Sequence, residues 1–384
     1  MSDDRPGRSV LITGGAGFIG SNLTRRLVAE GWRVRILDNL LAQVHGDDPT
    51  VSSPLLGSVA GIAQVQVGSV TSRPAVERAV QGVEVVVHLA AETGTGQSMY
   101  EIERYAHTNV TGTALLLDVL ANVPNSVRKL VVASSRSIYG EGKYLAADGR
   151  AVYPDHRSPS DMLAGDFEVH AEGVTGPLAL APTDEESAIH PSSVYGITKH
   201  TQEQLVMTVC PTIGIAPVAL RYQNVYGPGQ SLSNPYTGIL SIFSSLILAG
   251  QAIKIFEDGL ESRDFVFIDD VVDATFRAIT SDAANNRILN VGSGVPTTVN
   301  EVVEALFDAF GRRVDVERTG NFRLGDIRHN FADLTRIRDL LGFSPAVDFA
   351  SGVRRLVEWV LRQPAAGGGY EESLAEMRGR GLLQ

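Results

Sequence analysis

Cysteine is nearly absent: Cys210 is the single one in 384 residues. That excludes an intrachain disulfide and every multi-cysteine metal site, and burial habit reads Cys210 as a small apolar side chain on a helix. No metal is expected. Positive charge is also scarce, with 33 Lys and Arg against 44 Asp and Glu, a formal charge of −11. A field of that sign repels polyanions, so no nucleic-acid partner is expected, and an anionic small ligand would need arginines gathered locally. Long apolar runs are missing as well. The longest, 238–250, is too short for a bilayer and is broken by Ser241, Ser244 and Ser245, so no membrane association is expected. Residues 1–8 are polar and run straight into a strand-like segment, without the apolar stretch of a secretory signal, which predicts a cytoplasmic protein.

What remains is 43% hydrophobic and 20% charged, the composition of a globular chain with one large or two modest domains. Strand-like runs at 10–13, 33–38, 83–89 and 129–134 alternate with helical patterns at 22–30 and 114–121. Two more candidate strands, 218–223 and 288–291, follow a helix at 193–209. This alternation predicts an α/β fold with a doubly wound parallel sheet, and the strands are apolar throughout, as strands covered on both faces should be. Two regions break the pattern. Residues 143–187 are rich in Pro, Gly, Asp and Glu without clear periodicity and read as an inserted lobe. After Gln363, Pro364 and Gly367, Gly368 and Gly369 predict a flexible link to a short, mobile, charged tail.

The segment VLITGGAGFIG places Gly14, Gly17 and Gly20 between the first strand and the first helix. The first glycine permits a tight turn, the second lets backbone approach a pyrophosphate, and the third allows helix and strand to pack closely. The helix N-terminus then faces the phosphate charge. Asp38 answers 18 residues beyond Gly20, at the end of the next strand. Its carboxylate can accept both adenosine ribose hydroxyls and would repel a 2′-phosphate, which favours NAD over NADP. The competing reading is that Asp38 caps a turn before Asn39.

Tyr195 and Lys199 stand four apart in a predicted helix and therefore share a face. An ammonium near a phenol stabilises phenolate and makes a usable acid/base, although the same spacing also fits an ordinary helix surface. A hydroxyl-rich run, Ser134 to Gly140, ends another predicted strand, where ligands of doubly wound sheets bind.

With these motifs the chain resembles the extended short-chain dehydrogenase/reductases, the nucleotide-sugar epimerases and dehydratases, over about residues 9–360. The resemblance runs through TGGAGFIG, the His88-Leu89-Ala90-Ala91 run, Asn109 to Gly112, SSRSIYG, Tyr195 to Lys199, RYQNVYGP at 221–228, SRDFV at 262–266 and NVGSG at 290–294. It implies a Rossmann NAD-binding domain over 1–230, with returning segments about 265–292, and a smaller C-terminal domain over 231–384, mainly for a nucleotide sugar. Ser135, Tyr195 and Lys199 are then catalytic, and Lys199 also holds the nicotinamide ribose. Phe18, Ile19, Asn39, Ser69, Val70, Leu89, Ala90, Ala91, Asn109 and Tyr222 should line the cofactor. Gln97, Ser98 and Tyr236 fall to the substrate. Asn224, Arg263, Arg323 and Asp326 should hold its diphosphate and ribose, with Phe256 on the base, as bidentate arginines suit phosphate. Each arginine could instead be a solvated surface charge. Three departures stand out: Ser69 replaces the usual aspartate near adenine, Gln223 replaces an aromatic or histidine, and 60 residues separate Ser135 from Tyr195.

The resemblance also narrows the reaction. A 4,6-dehydratase carries Thr-Asp-Glu at the positions of Ser135, Arg136 and Ser137, because expelling water needs an extra acid and base. A decarboxylating relative tends to carry a nearby glutamate. Neither is here, which leaves epimerisation at C4 of a dTDP- or UDP-hexose through a transient 4-keto sugar. The runs 96–105 and 229–238 are similar to those of bacterial dTDP-rhamnose 4-epimerase-like proteins. A ketoreductase is the other enzymatic reading, and a non-enzymatic NAD-dependent binding or regulatory protein is the third, against which the intact Ser135, Tyr195 and Lys199 argue. Family members commonly pair through a four-helix contact, which implies a homodimer through helices near 101–120 and 193–209.

Overall fold

The computed structural model describes residues 8–232, 234, 236–363 and 370–384. Seven runs form one sheet: β1 (Ser9–Thr13), β2 (Arg33–Asp38), β3 (Gln64–Val67), β4 (Val85–His88), β5 (Lys129–Ser135), β6 (Ala216–Tyr222) and β7 (Arg287–Val291). Their order is β7-β6-β5-β4-β1-β2-β3, and every neighbouring pair is parallel. The strand not anticipated, β3, sits at the edge with its side chains exposed or half-buried, so it lacks the apolar run that marks the others. The order reverses between β1 and β4, and beyond the carboxyl ends of strands at such a switch point a doubly wound sheet binds its ligand.

Side-chain alternation along each strand feeds two cores. Val10, Ile12, Val85, Val87 and Val131 point to the face covered by α1 (Phe18–Ala29). Leu11, Val86, Leu130 and Val132 point to the opposite face, under α2 (Gly112–Asn122) and α3 (Val194–Thr212), where Cys210 is fully buried. Burying a side chain of this size is worth about 1.5–3 kcal/mol, so each strand contributes to both layers and β1, β4 and β5 cannot shift register without exposing them. The first core continues without a break into the C-terminal part, through Leu240, Phe243 and Ile247 of helix Ile239–Ala249 and through Phe265 and Phe267.

That part is built on strand Ser262–Phe267. It pairs in parallel with Asn224–Tyr226 and His329–Asn330, and antiparallel with Pro296–Thr298. The 143–187 lobe carries its own small antiparallel sheet, Ala151–Val152, Tyr144–Leu145 and Ala179–Leu180, with a short helix Pro159–Leu163. Buried ion pairs hold the lobe to the C-terminal part. Arg157 donates to both carboxylate oxygens of Glu257, at 2.8 Å each, and Arg328, with no exposed surface, reaches Asp258, Glu257 and Glu168.

The mobile tail expected after Gln363 is corrected in its described part. Pro364 and Gly367, Gly368 and Gly369 lie outside the described residues, but Tyr370–Gly379 forms a helix, α4, which buries Leu374 and Met377. Charge content misled the expectation, because the apolar residues that dock this helix are few and widely spaced.

Candidate active site

The glycine turn forms as its spacing predicts. Gly14 adopts φ +71°, its N–H donates to Leu37 O at 2.8 Å, and a Cβ there would lie 2.8 Å from the backbone nitrogen of Ala90. A Cβ on Gly20 would lie 2.4 Å from Gly14 O, so helix and turn touch backbone to backbone. Gly17 starts α1 with no side-chain cap and no acid in the first turn, which leaves the N–H groups of Phe18 and Ile19 and the positive helix end for an anionic ligand. Asp38 is buried. Its Oδ2 accepts from Ala16 N–H at 3.0 Å, which ties the carboxylate to the glycine turn, and its Oδ1 accepts from Leu40 N–H at 2.9 Å, the bond of a turn cap, while Asn39 is exposed. These residues fit a dinucleotide: glycine backbone and helix end for the pyrophosphate, a carboxylate for the ribose.

Other expected cofactor residues hold the site's frame. Asn109 is fully buried and bridges the loop after β4 to α3, accepting from Glu92 N–H at 2.7 Å and donating to Thr198 Oγ1 at 2.9 Å. Val70 packs where a Cβ on Gly112 would collide, and Ser69 folds onto Thr71. Leu89 packs on the first core, and Ala90 and Ala91 are half-buried beside the glycine turn. Tyr222 departs from expectation. Its ring joins the core and its hydroxyl pairs with Thr275 at 2.8 Å, because β6 turns that residue toward helix Ile268–Thr280.

Ser135 ends β5, its Oγ accepting from Ser137 N–H at 3.2 Å and Ser137 Oγ at 3.0 Å, and Tyr195 stands in the first turn of α3, which packs against β5. Burial pushes the Tyr195 phenol up, while the Ser135 hydrogen bond and the Arg136 charge oppose that shift. Lys199 lies one turn further along, buried, with Nζ donating to Gln202 Oε1 at 2.8 Å. Burial lowers Lys199 to about 7, against the opposing pull of Glu203. The helix carrying this pair is pinned: Arg221 on β6 makes a bidentate pair with Glu203 at 2.7 and 3.0 Å and also donates to Tyr139 Oη at 2.7 Å. Tyr139 in turn donates to Asn290 on β7, at 2.8 Å. Ser98, expected to face substrate, is fully buried and accepts the Tyr195 backbone N–H at 3.0 Å, thereby fixing the start of α3. Gln97 is likewise buried, bonded to Tyr105 and Gln43.

On the far side of Ser135 lies a cluster of arginines. Arg136 donates from Nε to Asn224 Oδ1 at 3.0 Å, and burial lowers its pKa to about 10, with Arg263 adding repulsion. Asp326 stands at the focus. Burial alone would raise it, but Arg263, Arg323, Arg136 and Arg157 together bring it down to about 2. Arg157 is already paired with Glu257 and Glu141, so Arg136, Arg263 and Arg323 around the single carboxylate of Asp326 form the local positive region that an overall acidic chain needs in order to hold a diphosphate. Arg263 itself is committed within the protein, to Asp326 Oδ1 and to the backbone carbonyls of Ser262, Ile327 and Arg328. Arg323 lies over the Phe256 ring at 4.9 Å, and its buried Nε has no partner. Gln223 is buried with neither amide atom paired. Among the described residues no group of His, Cys, Asp and Glu is placed to hold a metal ion, and no helix is long and apolar enough to cross a membrane.

Sequence reasoning missed several members. Arg136 was noted only as not being an acid, although its adjacency to Ser135 was a usable signal. His45, buried with Nε2 3.8 Å from Asp38 Oδ1, and Gln202, linking Lys199 to Thr113, carry no motif.

Comparison with known proteins places this geometry. Residues 10–159 and 170–292 match the family described as the NAD dependent epimerase/dehydratase family. A dTDP-L-rhamnose 4-epimerase of Burkholderia thailandensis is 36% identical over 93% of this chain and 96% of its own length. The UDP-glucose 4-epimerase of Thermotoga maritima, solved with UDP-glucose, superposes with a TM-score of 0.73 at 29% identity, over 92% of this chain and 99% of that one. The UDP-glucose 4-epimerase of Thermus thermophilus, solved with NAD, gives 0.71 at 26% identity, over 93% and 100%. The chain therefore belongs to the NAD dependent epimerase/dehydratase family, and is an NAD-using enzyme of the nucleotide-sugar epimerase kind.

Proposed function

We propose that the enzyme inverts C4 of a dTDP-activated 6-deoxyhexose through a transient 4-keto sugar, with Ser135, Tyr195 and Lys199 as its catalytic residues. The observation that carries this reading is the placement of Ser135 at the end of β5 against the helix that carries Tyr195 and Lys199, with Arg136 where a dehydratase would need an acid. NAD, which the glycine turn and Asp38 would hold, would supply the acceptor and donor for the C4 hydride. Tyr195, as phenolate, removes the proton of the sugar hydroxyl, and Ser135 Oγ hydrogen-bonds the same oxygen as it becomes a carbonyl. Lys199 holds the nicotinamide ribose, and once it is protonated its charge favours the Tyr195 phenolate. The arginine cluster around Asp326 holds the diphosphate while the keto sugar turns over.

The 36% identical relative supports the dTDP-6-deoxy substrate over a UDP-hexose. Residues 1–230 hold the cofactor and 231–384 mainly the nucleotide sugar. Two copies pair through α2, α3 and helix Ile102–Tyr105, a surface on which Ile102 and Ile197 are more than half exposed. The deciding experiment incubates the purified protein with a panel of dTDP- and UDP-hexoses and follows products by NMR. The expected result is C4 inversion without added redox partner. Stoichiometric reduced cofactor with a released oxidised sugar, or turnover that needs external NAD(P)H, would replace the epimerase reading with a dehydrogenase or ketoreductase.

A further inference from the structure

The described C-terminal segment, residues 370–384, packs on one side against the stretch that carries Arg323 and on the other against residues 96–100 and Tyr236. On one side its last residues add a strand to the backbone that carries Arg323. Phe322 N–H donates to Gln384 O at 2.9 Å, Gln384 N–H donates to Phe322 O at 3.0 Å, and Leu324 N–H donates to Leu382 O at 3.1 Å. Leu374, Met377 and Leu383 form a small core of their own, each at most 5% exposed, and the Phe256 ring packs on it beneath the Arg323 guanidinium. Tyr370 is half-buried against this core, and the Arg323 charge opposes the rise that burial gives its phenol.

On the other side, Met377 lies on the loop after β4, where its Sδ would be 3.2 Å from a Cβ on Gly96. Glu376 Oε2 lies 2.9 Å from Tyr236 Oη and 3.1 Å from Tyr100 Oη, and the two hydroxyls stand 2.6 Å apart, so the two phenol protons fill two of these three contacts at a time. Arg380 closes the group, donating to Glu376 Oε1 at 3.1 Å over the Tyr100 ring. This half-exposed, charge-assisted group ties Tyr236 and residues 96–100 to the helix whose following residues pair with 322–324.

We propose that this segment is the outer wall of the nucleotide-sugar site, and that Glu376 is a positioning residue that sets Tyr236 and the 96–100 loop for substrate. The assignment rests on the reading of the cleft as a nucleotide-sugar site. It assigns the segment no part in holding NAD, because its contacts described above fall on residues of the substrate half and none on the glycine turn. The segment acts on substrate affinity and leaves the chemical step to Ser135, Tyr195 and Lys199.

The test compares the full chain with a chain ending at Gln363, and with Glu376→Ala and Glu376→Gln, on the sugar that wild type turns over. Truncation is expected to raise KM about tenfold or more, the effect of losing one well-placed charge-assisted contact, with kcat and copurified NAD close to wild type. Glu376→Ala should raise KM less, and Glu376→Gln should restore it, since an amide oxygen still accepts a phenol proton from the Tyr100 and Tyr236 pair. Amide exchange at 322, 324 and 384 should slow when dTDP or UDP alone is added. An unchanged KM in a truncated chain that keeps its NAD overturns the assignment. Should truncation cost the fold, an unchanged KM in Glu376→Ala overturns it instead. A wild type that turns over no nucleotide sugar refutes the reading of the cleft, and the exchange measurement with dTDP and UDP then decides whether the segment borders a nucleotide site.

Discussion

At the scale of single residues the site is a set of burial conflicts. The proposed base Tyr195 would have to ionise although burial raises its phenol, a rise that the Ser135 hydroxyl and the Arg136 charge oppose. Tyr195→Phe keeps the ring and removes the ionisable oxygen, so turnover should fall by about 10²-fold or more while NAD and sugar binding persist. Single-turnover rates with copurified cofactor check this, and near wild-type rates would refute the assigned base. Lys199 carries the opposite conflict, an ammonium in a buried site with its pKa near 7 instead of 10.5. Between those values the unfolded chain holds a proton that the folded chain has lost, so this residue makes stability climb as pH rises from about 7 toward 10.5, and costs stability below. Lys199→Met in the cofactor-free protein should therefore remove that slope and raise stability at pH 7 by about 1–2 kcal/mol, while activity and NAD retention fall. Urea unfolding at pH 6.5, 8 and 9.5 measures it, and parallel curves for both proteins would exclude a buried, deprotonating Lys199.

At the scale of elements, the strand-turn-helix unit shows why spacing alone was informative. Gly20 and Gly14 meet backbone to backbone, so Gly20→Ala must push α1 away from β1. Loss of copurified NAD and a drop of about 3 kcal/mol are expected, as for a side chain forced into a packed core. Gly17→Ala meets only Gly14 O, at 3.3 Å, and should leave stability nearly unchanged while weakening NAD binding at the helix end. Calorimetry of both variants with and without NAD separates the two, and equal effects would mean that Gly17 does not face the cofactor. The 143–187 lobe was visible as a break in periodicity, yet its anchoring was not. Arg157 and Arg328 meet partners about 70 to 170 residues away, and no local pattern encodes a pair at that separation.

At the scale of the whole molecule, the proposed dimer has a simple check. The exposed Ile102 and Ile197 should be covered in it, so Ile197→Glu is expected to turn a dimer into a monomer by light scattering at micromolar concentration, without loss of NAD. A wild type that is already monomeric would refute the pairing. The sequence by itself determined the α/β class, six of the seven sheet strands, the glycine turn with Asp38, and the one-turn offset of Tyr195 and Lys199 on a helix. Each rests on short-range regularities: a period of two or 3.6, a fixed glycine spacing, or a one-turn offset on a helix. Only the tertiary structure decided that Tyr222 faces the core, that Ser98 fixes a backbone N–H, that Arg263 is committed to its own loop, and that the acidic tail docks by Glu376 against Tyr100 and Tyr236. Those outcomes depend on which way a side chain points once distant segments pack. They are fixed by the burial and pairing of groups far apart in the chain, and local sequence carries no record of them.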